Sequence, residues 1–292
     1  MKKALIIGST VVDVTIRVDR LPEREGDANA RTQKMRLGGC ACNVANMFRL
    51  LGVPYDLAST VGTGIYADFV REELQKRGMH ALFTSDEENG CCYCIVDRAG
   101  DRTFLSVHGA EYRFHRGWLD GLNAEDYALG YCCGLEIEEE GGEHIICFFE
   151  NHPELTFCYA PGVRLANIPQ ERTERLLALH PMLHLNLREA RTLLGTDGSM
   201  QECAEALHQR TQNTVVITDG RNGSCVRYEK GYYQCPAETL EETVDGTGAG
   251  DAHCGTFLAC LVRGDDPVSA LQYASKIGAA VCGIEGAMLD TL

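Results

Sequence analysis

The sequence has no apolar run long enough to span a bilayer, so no helical membrane segment is expected in it and no membrane partner follows. It is short of positive charge: 27 Lys and Arg stand against 42 Asp and Glu, a formal net charge of −15. Such a chain cannot neutralise a phosphate backbone over a broad face, so nucleic acid is not an expected partner. A local phosphate site stays open, because a few backbone amides can bind an anion on an acidic protein. The apolar stretch in "MKKALIIGSTVVDV" is too short for a signal peptide, and a cytoplasmic location is expected. The 15 cysteines then read as free thiols of a reducing compartment rather than a disulfide scaffold. They cluster at Cys40 and Cys42, at Cys91, Cys92 and Cys94, and at Cys132 and Cys133. No Cys-x-x-Cys pair is matched by a second one, which argues against a structural zinc site. Free cysteine serves equally well as a small hydrophobe. The phosphate-loop pattern G-x-x-x-x-G-K followed by Ser or Thr is also missing, which disfavours a Walker-type kinase or ATPase.

What is present is an ordinary globular composition, 292 residues with 45% hydrophobic content, enough for one large α/β domain. Short apolar runs alternate with amphipathic helical patterns. Strands are expected at "ALIIG", "YDLASTVG", "YALGYCC", "LTFCYA", "MLHLN" and "TVVITDG". Helices are expected over 38–52, over 67–78 with Gly78 as its stop, at "LREARTLLG", at "MQECAEALHQR", and around 251–263 and 267–283. This alternation implies a mainly parallel sheet covered by helices on both faces. Two hairpins stand apart, "GSCVRYEKGYYQC" and the pair "CCYCIV" and "RTFLSV" around "DRAGD". The second does not fit a parallel sheet and reads as a small subdomain or lid.

Ligands of such sheets bind beyond the carboxyl ends of the strands, where glycine-rich turns enter helices. Residues 245–251, "DGTGAGD", form such a turn before the apolar run "AHCGTFLACLV". Gly246, Gly248 and Gly250 allow a tight turn, and a helix starting there exposes unpaired amides at its positive end. Gly248, Ala249, Gly250 and Asp251 could aim several N–H groups at one anion, and a carboxylate beside them could take a proton from an attacking hydroxyl. This combination suits phosphoryl transfer to an alcohol. An N-capping aspartate would use the same residues more simply.

The stretch resembles the DTxGAGD signature of the ribokinase, or PfkB, sugar and nucleoside kinases, with Asp245, Thr247, Gly248, Ala249, Gly250 and Asp251 matching. Four further motifs follow the family's order along nearly the whole chain. "GSTVVD" carries Asp13, "GGCACN" carries Gly38, Gly39 and Asn43, "NLRE" carries Asn186 and Glu189, and "TDGRNG" carries Thr218, Gly220 and Gly223. Each motif alone is also an ordinary turn, helix start or cap.

The resemblance implies a ribokinase-like α/β fold as one domain over 1–292, with lid strands from about 10–36 and 88–108. It implies an ATP-dependent kinase acting on a hydroxyl of a sugar or nucleoside, with Asp251 as base beside the anion hole. Asp13, Gly38, Gly39 and Asn43 would hold the acceptor. Thr218, Gly220 and Gly223 would line the nucleotide, with Ser275 in the last helix flanking the adenine. Asn186 and Glu189 would organise magnesium, Glu189 through water. A monovalent cation such as potassium near the anion hole, and a homodimer formed through the lid, are implied on the same basis.

The chain departs from the family pattern at Cys40, at Gly64 and Ala67, at Gly246, and at His253 and Thr256. None of these removes the base or the anion hole. Arg164, in "YAPGVR", has a poor local match to an arginine that some family members place near substrate or phosphate, and reads rather as a solvent-exposed loop arginine. Two other functions compete. "GTGIYA" (62–67) has the shape of a dinucleotide turn, with Asp86 at nearly the expected distance, and would mark an NAD-dependent oxidoreductase. A catalytically silent sugar-binding sensor would keep the fold without using Asp251.

Overall fold

The structure is a computed structural model describing residues 1–115, 117–240 and 243–292. The chain begins with β1 (Lys3–Ile7), β2 (Val11–Val18), β3 (Ala30–Gly38), α1 (Cys40–Leu50), β4 (Tyr55–Thr63), α2 (Gly64–Arg77), β5 (Ala81–Glu88), β6 (Cys91–Val96) and β7 (Arg102–Val107). It continues through β8 (Tyr127–Cys133), α3 (Gly134–Glu138), α4 (Gly142–Asn151), β9 (Phe157–Ala160), α5 (Gln170–Ala178), β10 (Met182–Asn186), α6 (Leu187–Leu194) and α7 (Met200–Thr211). It closes with β11 (Val215–Thr218), β12 (Ser224–Tyr228), β13 (Gly231–Cys235), α8 (Ala249–Arg263) and α9 (Pro267–Cys282).

Nine strands form one sheet in the order β13-β12-β11-β10-β9-β8-β1-β4-β5. Seven of them, from β11 to β5 in that order, run parallel, and only the β12–β13 hairpin is antiparallel at one edge. The mainly parallel sheet expected from the alternation is therefore present. An interior strand, β1, shows why a continuous apolar run was needed. Ala4 and Ile6 of β1 join one core with Val44, Phe257 and Leu271, from α1, α8 and α9. Leu5 and Ile7 join the opposite core with Ile145, Leu176 and Leu207, from α4, α5 and α7. Side chains alternate across a strand, so a strand covered on both faces must be apolar at every position. Burying each of these isoleucines contributes about 1.5–3 kcal/mol.

The hairpin of β6 and β7 stays out of this sheet. It pairs with β2 and β3 in a four-stranded sheet of order β3-β2-β6-β7. Val12 and Val14 are buried on one face, where Tyr66 of α2 meets Tyr93 of β6, hydroxyl to hydroxyl, at 2.7 Å. Asp13 lies on the other face, opposite Arg36 and Cys92 in register. Strand β5 was not anticipated, because its alternation of half-buried and exposed residues, "ALFTSDEE", ends in acids that read as a surface run.

One close approach positions the site. Gly255 lies one turn after Asp251 in α8, and Val44 one residue after Asn43 in α1. A Cβ on Gly255 would sit 2.7 Å from the Val44 carbonyl oxygen. Its absence lets the two helices meet at backbone distance and brings their first turns together.

Candidate active site

Helix α8 begins at Ala249 with Gly248 as its cap, in the left-handed region at φ 76°. A Cβ at Gly248 would meet Ala287 at 2.5 Å, so both conformation and space require glycine there. Among the described residues no side chain caps this helix. The capping alternative for Asp251 therefore fails: its carboxylate is turned to α1, where Asn43 Nδ2 donates to Asp251 Oδ2 at 2.8 Å. The first amides of α8 lack partners within the helix, as at any helix start. Ala249 N makes only a long bond of 3.4 Å, back to Gly246.

Burial is the main force on Asp251 and pushes its carboxyl up to about 6. The bonds from Asn43 and Cys40 oppose this, while the charges of Glu136 and Glu189 add to it. Glu136, in α3, is fully buried, accepting from Ser9 N at 2.7 Å and from Cys133 Sγ at 2.8 Å. Asp13 is pushed further, to about 7, by burial first and then by the charges of Asp251 and Asp245. Gly38 makes room for it, since a Cβ there would fall 2.0 Å from Asp13 Oδ2. Gly39 has φ 97° and lies against the Ser9 carbonyl. Asn43 is buried, and among the described residues its Oδ1, buried too, meets no partner. That leaves an unused acceptor atom on the side chain that holds the Asp251 carboxylate.

A cavity runs from Asp251 along the carboxyl ends of β8 to β11, whose last residues Cys133, Ala160, Asn186 and Thr218 all line it. Glu189 and Gly250 line it as well. Asn186 caps α6 in a reciprocal box: Glu189 N donates to Asn186 Oδ1 at 2.9 Å, and Asn186 N donates to a Glu189 carboxylate oxygen at 3.0 Å. The capping reading of "NLRE" is thus realised, and the same two side chains still face the cavity. Burial, opposed by these bonds, raises the Glu189 carboxyl. Glu189, with Asn186 beside it on the cavity, is a carboxylate that could hold magnesium through the ion's waters, leaving Asp251 free of the metal. Among the described residues no group of three or more His, Cys, Asp or Glu is placed to hold a metal directly.

The remaining expectations divide. Thr218 reaches the cavity, whereas Gly220 and Gly223 shape the turn beside it, Gly223 at φ 93° against the Cys235 carbonyl. Ser275 does not line the cavity. Its hydroxyl bonds Ser224 Oγ at 2.8 Å and His253 Nε2 at 3.4 Å. His253 Nδ1 in turn meets His184 Nε2 at 2.9 Å, and burial holds both imidazoles below their usual range. Sequence reasoning named Ser275 and noted His253 but missed the chain that links them to Ser224 and His184, and it missed Glu136, because no motif marks either. Arg164 corrects its reading as an exposed loop residue: its Nε donates to Glu138 Oε2 at 2.5 Å, and it lines the cavity. The "GTGIYA" turn is filled by the chain itself. A Cβ on Gly62 would fall 2.1 Å from the Glu87 carbonyl oxygen, and Gly62 N donates to Asn89 Oδ1 at 2.6 Å. Nothing in that geometry supports the dinucleotide reading.

The sequence profile of the pfkB family of carbohydrate kinases matches residues 1–292. An uncharacterized sugar kinase of Escherichia coli (strain K12), YegV, is 27% identical over 98% of this chain and 90% of its own length. The ATP-dependent ribose-1-phosphate kinase of Halopiger xanaduensis is 29% identical over 98% of this chain and 94% of its own. The crystal structure of ribokinase from Thermotoga maritima superposes with a TM-score of 0.85 at 18% identity, covering 100% of this chain and 96% of that one. The fold is ribokinase-like.

Proposed function

Because the chain belongs to the pfkB family of carbohydrate kinases, and so to the phosphotransferases with an alcohol acceptor, we propose that Asp251 is its general base and that the acceptor is a hydroxyl of a sugar or nucleoside. One observation carries this reading. Asp251 sits in the first turn of α8 beside amides with no helical partner, its carboxylate fixed by Asn43 and raised to about 6. A base poised near neutrality takes a proton well and is still largely ionised at pH 7.

In this mechanism the acceptor hydroxyl lies between Asp251 and the amides of Gly248, Ala249, Gly250 and Asp251. Its proton passes to Asp251 as its oxygen bonds to the γ-phosphorus of ATP, and ADP leaves with the electron pair of the broken bond. The amides hold the charge of the transferring group. Asn43 Oδ1, which meets no partner among the described residues, accepts from an acceptor hydroxyl. Asp13 accepts from others, with Gly38 and Gly39 giving the backbone room. Thr218 meets the phosphates at the cavity, Gly220 and Gly223 form the nucleotide turn, and Ser275 supports that turn through Ser224 rather than by touching adenine. Asn186 and Glu189 would hold magnesium through its waters, and the ion would supply charge neutralisation at the phosphates.

A homodimer through the small sheet belongs to the same proposal. It is supported by β7, an edge strand with Phe104, Leu105 and Val107 all more than half exposed. The test of the reading is ADP release from magnesium-ATP across sugars, nucleosides and ribose 1-phosphate. Release that follows one acceptor supports it; sugar binding without ATP consumption would favour the silent sensor.

A further inference from the structure

A basic side chain from the small sheet reaches into the glycine-rich loop. Arg102, the first residue of β7, donates from one guanidinium nitrogen to Asp245 Oδ1 at 2.8 Å and to Thr247 Oγ1 at 3.0 Å. The other donors around Asp245 are backbone amides: Thr247 N at 2.9 Å on Oδ1 and Gly286 N at 3.3 Å on Oδ2. Burial pushes the Asp245 carboxyl up, but the Thr247 and Arg102 bonds outweigh it and leave the group below the usual carboxylate range. The loop therefore carries a fixed negative charge three residues before the anion-binding amides. Left alone, that charge would repel a phosphoryl group.

The neighbouring loop repeats the pattern. Glu285 follows α9 and accepts from Arg17 at 3.3 Å, Lys34 at 2.9 Å and Arg36 at 2.6 Å, all from β2 and β3. Both loops that flank the start of α8 thus have their carboxylates met by cations of the small sheet. A bound alkali ion needs oxygen lone pairs converging on it. Around Asp245 the structure offers N–H groups pointing at the carboxylate, and the Thr247 hydroxyl oxygen is already accepting from Arg102. These residues do not fit the monovalent cation that the family resemblance implies.

We propose that Arg102 is a positioning residue that supplies, from the small sheet, the positive charge a monovalent cation would otherwise supply to the anion-hole loop, so that this enzyme works without such a cation. The same contact ties the sheet carrying Asp13 to the loop carrying the amides, so acceptor site and anion hole are set together. The inference rests on the kinase reading for its rate measurements and on none of it for its melting measurements.

The experiment compares wild type, Arg102→Gln and Arg102→Lys in potassium, sodium and tetramethylammonium chloride at one ionic strength. Wild-type turnover is expected to agree within about twofold in the three salts, while Arg102→Gln loses about tenfold or more in tetramethylammonium and recovers part of it in potassium. Arg102→Lys keeps the charge and is expected to remain indifferent to the ion. Melting temperature with and without ATP gives the second readout, with potassium raising it for Arg102→Gln only. A wild-type enzyme activated about tenfold or more by potassium would overturn the proposal. So would an Arg102→Gln enzyme that is slow yet unresponsive to potassium, which would make Arg102 a strut and nothing more. Should no acceptor be turned over at all, the kinase reading fails, while a potassium-dependent melting shift in Arg102→Gln but not wild type still supports the role of Arg102 and its absence still refutes it.

Discussion

Asn43 Nδ2 donates to Asp251 Oδ2 at 2.8 Å, joining the first turns of two helices 208 residues apart in sequence. The bond holds the carboxylate in place and favours its ionised form, against a burial that disfavours it. Asn43→Ala is therefore expected to move the acid limb of the kcat/KM profile upward from near 6 by about half a unit to one unit. Acceptor KM should rise as well, because the free Oδ1 goes with the side chain. A variant with an unmoved acid limb would separate Asn43 from the base.

Gly255 makes that bond possible. Gly255→Ala places a methyl 2.7 Å from the Val44 carbonyl oxygen and 3.0 Å from Met47 Cβ, both backbone-anchored. The two helices must part, at a cost of about 1–3 kcal/mol in stability. Turnover should fall with it, although the residue touches no substrate. Chemical denaturation reads the first effect and steady-state kinetics the second. Unchanged kinetics in a destabilised variant would show that the spacing of α1 and α8 does not set the base.

Asp13 ties stability to pH. Its carboxyl is pushed up to about 7, by burial first and then by Asp251 and Asp245. A carboxylate with a folded pKa above its unfolded value binds more protons when folded, across the interval between the two. Stability from this group is therefore fully present below about 4 and is lost as pH rises to about 7. Asp251, also raised, acts in the same direction. Asp13→Asn removes the Asp13 share. At pH 8 the variant should be more stable than wild type by on the order of 1 kcal/mol or more, and the gap should close by pH 4. Its acceptor KM should rise at every pH, and wild-type KM should rise as pH falls below 7. A variant less stable than wild type at pH 8 would contradict the assignment.

Glu189 has two duties that can be separated. Asn186→Ala removes the cap of α6 and should cost about 1 kcal/mol of stability. Glu189→Gln keeps an oxygen for the cap but loses the charge on the cavity. It should shift the magnesium concentration for half-maximal activity by roughly tenfold or more with little change in melting temperature. An unchanged magnesium requirement would confine Glu189 to capping.

Much of this was legible because it is local. The strand at 3–7, the helix stopped by Gly78 and the "DGTGAGD" turn each declare themselves by apolar period or glycine placement. The order of five short motifs then pointed to one site, and the sheet does bring Asn186, Thr218 and Asp251 to one cavity. What stayed hidden is pairing at a distance. Glu136 sits in "GLEIEEE", which reads as a solvated acidic run, yet it is fully buried on Ser9 N and Cys133. Arg102 lies in a hairpin with nothing to mark it, and its partner Asp245 is 143 residues away. His184 and His253 each look like isolated core histidines until β10 and α8 are packed together. Ser275 was expected beside the nucleotide, but its hydroxyl is engaged by Ser224 behind the turn rather than in the cavity.

The most direct test of the whole account is acceptor-dependent ADP release from magnesium-ATP, measured for wild type and for Asp251→Asn on the acceptor that wild type turns over best. The account requires wild-type release to depend on that acceptor, and the variant to lose at least about a hundredfold in kcat while still binding acceptor and ATP. Near-normal turnover by Asp251→Asn would contradict the role of Asp251 as the base.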